Sequence, residues 1–326
     1  MRHSRIKLRD QAAVYHCICR CVAKERLLDT RSKEVFRKQM HTMADFCGVQ
    51  IMTYCLMNNH VHLLVRVPEK QPISDEELVR RYALLYSKYP GVVAAFEKLL
   101  KEDSPEAKQE RARQLKRMGD ISFFMKELKQ RFGIWYNKSH NRIGTLWTER
   151  FKSVLVENSR TALMTVAAYI DLNPVRAGLC EDPKDYRFCG YAEALGGEAI
   201  AQSGITAIAE IDDWKQAAGE YRMMIFGKGA EPKVHAAEIS EQKMKKVMKA
   251  GGQLPRVVLL RCRVRYFSDG AILGSKAFVR EVFEGQREVF NQRRRRFGRA
   301  LPGADWQGLV SFRDLRKEVF SVREGS

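Results

Sequence analysis

The 326-residue sequence has eight cysteines but no C-x-x-C pair, which excludes a zinc ribbon and a thioredoxin-like redox centre. No stretch approaches the ~18 consecutive apolar residues needed to span a bilayer. The opening Met1-Arg2-His3-Ser4-Arg5-Ile6-Lys7 lacks the apolar core of a signal peptide, so a cytoplasmic protein is expected. No basic amphipathic helix with a clean apolar face stands out, which argues against a membrane surface as partner. No unit of about 20–50 residues repeats, so a solenoid is excluded. Acidic residues are also short: 39 Asp and Glu against 58 Lys and Arg leave a formal charge of +19. Such an excess of cations points to nucleic acid as the partner.

What is present centres on Tyr54-Cys55-Leu56-Met57-Asn58-Asn59-His60-Val61-His62-Leu63-Leu64-Val65. In a strand, residues i and i+2 share a face, so His60 and His62 project side by side while Val61 and Leu63 face the other way. Neutral imidazole is a common ligand for divalent metals, and strand backbone fixes the spacing of two. Two half-exposed histidines on an ordinary strand would read the same way.

Around this pair the pattern runs β-α-β-β-α-β-α. Residues 13–22 read as a strand and 32–46 as a helix closed by Gly48. Cys17, Cys19 and Cys21 alternate on that first strand and are expected as buried, reduced thiols. Residues 49–54 and 60–67 read as strands around Met57-Asn58-Asn59, with Pro68 ending the second. Residues 72–120 form a charged helical excursion, and a helix resumes over 123–136. A strand over 151–157 follows the polar loop 137–144. The helix 161–172 then begins near Asn158 or Ser159 and is expected to stop at Pro174, whose ring disfavours α geometry at Asn173.

This order suits an α+β fold: a ferredoxin-like antiparallel sheet with helices on one face, a helical insert and a basic C-terminal extension. The expected domains are a catalytic unit over 1–180, a Gly/Ala-rich linker or helical extension over 181–239, and a basic accessory unit over 240–326. Within the last, 241–249 and 276–292 read as helices and 257–266 as strand-like.

Tyr169 sits at the end of the helix after the last strand, and Asn173 lies four residues on, hence on the same face. Phenol and carboxamide there could supply a nucleophile and a third metal ligand. A half-buried aromatic and a helix C-cap would also account for them.

The run 54–65, the loop Trp135-Tyr136-Asn137 through Arg142-Ile143-Gly144-Thr145-Leu146-Trp147, the block Glu149-Arg150-Phe151-Lys152-Ser153 and the segment Tyr169-Ile170-Asp171-Leu172-Asn173-Pro174-Val175-Arg176-Ala177-Gly178 together resemble the REP-associated tyrosine transposases. These are HUH-type single-tyrosine transposases, and the resemblance spans roughly residues 1–180 around the insert. It implies a ferredoxin-like catalytic domain that cuts single-stranded DNA near a REP-like hairpin, using Mg²⁺ or Mn²⁺ and no nucleotide cofactor. By that resemblance His60 and His62 bind the metal, and Tyr169 attacks the scissile phosphate to leave a 5′-phosphotyrosine and a free 3′-OH. Asn173 falls where relatives usually carry Gln; being one methylene shorter, it leaves direct and water-mediated ligation both open. A phosphotyrosine keeps the phosphodiester energy, so strand transfer needs no ATP.

For DNA contact, Arg150 and Lys152 flank Phe151, and His140 and Arg142 lie in the preceding loop, a basic-aromatic alternation suited to phosphates and unpaired bases. The N-terminal cations, Arg5 among them, are expected beside the hairpin. Arg176 and the run Arg293, Arg294, Arg295 and Arg296 supply further phosphate contacts. The protein is expected as a monomer or homodimer. A hairpin-binding regulator without cleavage, and a hydrolase using activated water, are the competing readings.

Overall fold

The computed structural model describes residues 6–8, 11–227, 253–262, 264, 266–287, 290 and 298–312. Strand β1 (Ala13–Arg20) has seven of its eight residues buried, because both of its faces are covered. Ala13, Tyr15, Cys17 and Cys19 join one core, while Val14 joins the other. That is why the segment reads as a nearly continuous apolar run.

Helix α1 (Thr30–Cys47) starts where the Asp29 carboxylate accepts from the Ser32 amide at 2.7 Å and stops at Gly48, left-handed at φ 64°. That left-handed conformation is what calls for glycine, since a side chain is strained there whatever the space around it. Strands β2 (Gln50–Leu56) and β3 (His60–Val67) form the hairpin. The insert comprises α2 (Asp75–Tyr86), α3 (Pro90–Leu100) and α4 (Pro105–Leu115). Its centre is a stack in which Tyr82 lies 4.4 Å from Tyr86 and 4.1 Å from Phe96. Its charges largely pair with one another, as Arg111 with Asp75 and Lys108 with Asp103, in keeping with a solvated charged face.

Helix α5 (Ile121–Ser139) packs beside α1, and β4 (Lys152–Val156) returns to β1. The first four strands lie in the order β2-β3-β1-β4, every neighbour antiparallel. This is the ferredoxin-like order, with the crossover helices α1 and α5 on one face. The opposite face is not open. Helix α6 (Arg160–Asp171) covers it, together with α8 (Gly190–Leu195), α9 (Ala199–Ala209) and α10 (Trp214–Phe226). The expectation of helices on one face therefore holds for the crossover helices alone.

Helix α6 stops before Pro174 as expected, with Leu172 as its cap, but Asn173 does not leave helical geometry: it opens a second short helix, α7 (Asn173–Arg176), with Pro174 in its first turn. A proline is tolerated there because its missing N–H would have had no partner. Of the linker or helical extension expected over 181–239, residues 181–227 take the helical form and pack into the core, with Tyr191, Ile205, Ile208, Tyr221 and Ile225 fully buried. The small residues that suggested irregularity permit close packing: a Cβ on Gly204 would lie 2.2 Å from the Met52 carbonyl oxygen of β2.

The C-terminal unit continues the same sheet. Strand β5 (Ile272–Gly274) adds parallel to β4, with Leu155 opposite Ile272, and β7 (Val310–Phe312) and β6 (Arg299–Ala300) complete the order β2-β3-β1-β4-β5-β7-β6. The Glu157 carboxylate accepts from both the amide and hydroxyl of Ser275, at 2.7 and 2.8 Å, locking the join. Residues 257–266, expected as strand-like, are not a strand among the described residues: the helix Arg256–Leu260 covers their start and the helix Tyr266–Asp269 begins at their end, and the helix expected over 276–292 is described as Lys276–Gly285. The predicted helix 241–249 lies outside the described residues.

Candidate active site

The register of β1 against β3 places Arg20 opposite His60, Ile18 opposite His62 and His16 opposite Leu64. Directly opposed residues share a face, so Arg20, Ile18, His16, His60 and His62 all point toward α6. The two predicted histidines lie with ring centroids 5.1 Å apart. His62 is 2 % exposed; His60 is half-buried, its Nδ1 2.6 Å from the Asn59 carboxamide oxygen.

Tyr169 comes down from α6 onto this pair. Its ring meets His62 edge-on at 6.1 Å and His16 at 6.0 Å. Phe267, from the helix Tyr266–Asp269, packs on its other side at 5.0 Å. The Arg176 guanidinium lies over the ring at 4.2 Å and donates to the backbone carbonyls of Tyr169 and Leu260. The phenol thus sits in a wall of imidazole, guanidinium and aromatic ring built from four separate stretches of chain.

His16 is the member that sequence reasoning missed. Fully buried, it sits with Nε2 2.8 Å from Nδ1 of His62 and Nδ1 2.7 Å from the Phe267 carbonyl oxygen. Burial pushes its pKa down to about 4, partly offset by that carbonyl and reinforced by the charge of Arg176. His62 is pushed well below the usual imidazole range, by burial first and then by His16, His60, Arg176 and Arg20. Both rings are consequently neutral at neutral pH, the form that ligates a metal. No cluster of three or more His, Cys, Asp or Glu able to hold a metal exists among the described residues. His60 and His62, side by side with ring centroids 5.1 Å apart, are a pair of imidazole donors that would suit a divalent cation taking further ligands from substrate and water.

The other predicted positions separate into groups. Asn173 spends its carboxamide N–H groups on the carbonyls of Ile170 and Tyr169, at 2.9 and 3.3 Å; it finishes the helix and makes no hydrogen bond to the histidines. Arg176 belongs to the wall around Tyr169 and is not a free surface cation. Arg150 and Lys152 are exposed. Lys152 lies opposite Ile18 and hence in one row with His62. Arg142 donates to the Thr145 carbonyl at 3.1 Å, and His140 stacks on Tyr136 at 4.0 Å while its Nδ1 donates to the Tyr136 carbonyl. Arg20, exposed beside His60, was not singled out from sequence, although its position in the first strand is legible there. Arg5 and Arg293 to Arg296 lie outside the described residues. None of the eight cysteines is in a disulfide, and Cys17, Cys19 and Cys21 are buried as expected.

Residues 11–90 match the family model described as Transposase IS200 like. This IS200-like segment runs from β1 into the insert and carries His16, His60 and His62; Tyr169 lies beyond it. A solved structure, described as a REP-associated tyrosine transposase bound to a REP hairpin, is similar to this chain at 15 % identity. The similarity covers 60 % of this chain and 86 % of that one, with a TM-score of 0.38. No curated protein matches the chain. Among the described residues no helix is long and apolar enough to cross a membrane.

Proposed function

We propose that this chain is a transposase-type enzyme that nicks single-stranded DNA beside a REP-like hairpin and transfers the strand through a covalent 5′-phosphotyrosine on Tyr169. The observation that supports this is the seating of the Tyr169 ring edge-on to His62 at 6.1 Å and to His16 at 6.0 Å, both in the segment that matches the IS200-like family model.

The roles divide by geometry. His60 and His62 would hold Mg²⁺ or Mn²⁺, which supplies Lewis-acid polarisation of the scissile phosphoryl group. Tyr169 is the nucleophile: its oxygen forms the bond to phosphorus as the P–O3′ bond breaks, the phenol proton passes to solvent water, and the departing 3′ oxygen takes a proton from water to leave as a 3′-OH. Arg176 and Phe267 hold the ring in place, the first over its face at 4.2 Å and the second with ring centroids 5.0 Å apart. Arg20 and Lys152, on the same sheet face, bind flanking phosphates, and the net charge of +19 draws the polyanion in. The hairpin is the target that the sequence resemblance implies.

The test is a denaturing gel with hairpin DNA labelled on either side of the nick. The proposal expects the 5′ label to run with a free 3′-OH product and the 3′ label to run with protein, in Mn²⁺ and not in EDTA. Hairpin binding without a covalent species under any metal would leave a regulator instead.

A further inference from the structure

A fully buried imidazole must place both nitrogens against partners, and the partners of His16 dictate which nitrogen carries hydrogen. The Phe267 carbonyl can only accept, so Nδ1 of His16, 2.7 Å away, is the donor. His16 is fully buried, and its polar contacts are a carbonyl and another imidazole, with no carboxylate to balance a charge. It is therefore neutral, and a neutral imidazole has one N–H. Its Nε2 carries the lone pair and accepts. The atom 2.8 Å from it is Nδ1 of His62, which must in turn be the donor. The lone pair of His62 is thereby left on Nε2. Independently, the Asn59 carboxamide oxygen 2.6 Å from Nδ1 of His60 puts the same tautomer on the neighbouring ring.

We propose that His16 is a positioning residue: anchored by the Phe267 carbonyl, it fixes His62 as the Nδ1–H tautomer and presents Nε2 of His62 as a metal-ligating lone pair. The relay joins residues 251 apart in sequence, so the segment Tyr266–Asp269 is part of the centre. Without this acceptor His62 could place its proton on either nitrogen and rotate its ring. Partners one hydrogen bond behind a ligand typically matter by about 10–100-fold in metal affinity. The inference rests on the reading of His60 and His62 as the ligands.

The test uses the full chain with histidines labelled with ¹⁵N and all metal removed. Long-range ¹H–¹⁵N spectra distinguish the two neutral tautomers, and His16→Gln, His62→Ala and His16→Phe assign the signals. The proposal expects His62 to be Nδ1–H in the wild type, to stay so in His16→Gln, whose carboxamide oxygen can accept, and to become mixed or Nε2–H in His16→Phe. An Nε2–H tautomer of His62 in the wild type overturns it, whatever becomes of the variants. Calorimetric titration with Mn²⁺ in the absence of DNA gives the second readout: about a 10–100-fold weaker Kd for His16→Phe, with His16→Gln within a few-fold of wild type. If His62→Ala binds Mn²⁺ as tightly as wild type, the ligand reading itself fails. If His62→Ala loses binding and a folded His16→Phe does not, only the role of His16 is overturned.

Discussion

The guanidinium carbon of Arg176 sits 4.2 Å from the centre of the Tyr169 ring, and the same group donates to the Tyr169 carbonyl and, at 2.6 Å, to that of Leu260. One side chain thus clamps both the ring and the backbone of the proposed nucleophile and ties them to the helix Arg256–Leu260. A planar fork of donors is what makes this possible; an ammonium on a flexible stem cannot stack and bridge together. Arg176→Lys should therefore slow covalent adduct formation by about 10–100-fold, the scale of a displacement of about 1 Å at a reacting group. Arg176→Ala should in addition cost about 1–3 kcal/mol of stability from the charged hydrogen bonds lost. Single-turnover adduct kinetics together with thermal melts separate the two effects.

At the end of α6, two residues past Tyr169, Asp171 is fully buried. It accepts from Thr53 Oγ1 at 2.9 and 3.0 Å, from the Tyr221 hydroxyl and from the Tyr191 amide. Burial pushes its pKa up to about 7 despite those donors. Cys55, Cys189, Tyr191 and Tyr221 face it, and burial holds each of their pKa values above the ordinary range, Tyr191 least. A carboxyl whose folded pKa exceeds its unfolded value stabilises fully below the unfolded pKa of 3.8 and loses that contribution as pH rises through about 7. The contribution of Asp171 to stability should thus fall as pH rises from 3.8 to about 7, while the buried neutral His16 and His62 contribute in the opposite sense. The Asp171 share should amount to a few kcal/mol, since each tenfold change in proton affinity is worth about 1.4 kcal/mol. It is read as the difference in Tm between wild type and Asp171→Asn, which should change across that range in favour of the variant as pH rises.

Arg20 and Lys152 share the sheet face of the histidine pair, with Arg20 opposite His60 and Lys152 in the row of His62. Both are exposed. If they neutralise phosphates, each alanine substitution should weaken binding across sequences alike and reduce the slope of log K against log salt by about 1. Equilibrium binding to single-stranded DNA at several salt concentrations checks it. An unchanged slope would remove them from the interface.

Gly204 brings α9 onto β2 so closely that a Cβ would meet the Met52 carbonyl oxygen at 2.2 Å. Because that atom is backbone in the core sheet, it cannot swing aside. Gly204→Ala should cost about 1–3 kcal/mol, the usual range for overpacking, seen as a lower midpoint in urea with unchanged slope. No effect would show that α8 to α10 detach readily from the sheet.

The parts of the fold written in local pattern were legible in sequence. β1, α1, β2 and β3 follow from alternation, caps and the Gly48 stop, and they carry His60 and His62 to the same face as expected. Tyr169 was legible as a helix-end residue, and its approach to the histidines follows once α6 crosses the sheet. Other features depend on contacts distant in sequence. His16 looks like one more buried strand residue until Phe267 supplies its acceptor. Residues 181–227 look irregular because Gly and Ala lack a strong periodic signal, yet their small size is what lets helices lie on β2. Val257 to Leu260 carry β-branched and apolar residues that suit a strand, and packing into the second core makes them a helical turn. Asn173 and Arg176 have types suited to ligand and phosphate, but both are engaged with backbone carbonyls at a helix end.

The central claim is that Tyr169 forms the covalent bond to DNA. The most direct measurement is protease digestion of protein reacted with hairpin DNA and Mn²⁺, then nuclease trimming and mass spectrometry of the peptides. The account predicts a nucleotide phosphate attached to Tyr169 in the wild type and no covalent DNA in Tyr169→Phe, which still binds the hairpin. A nucleotide on another residue, or a covalent adduct that persists in Tyr169→Phe, would contradict it.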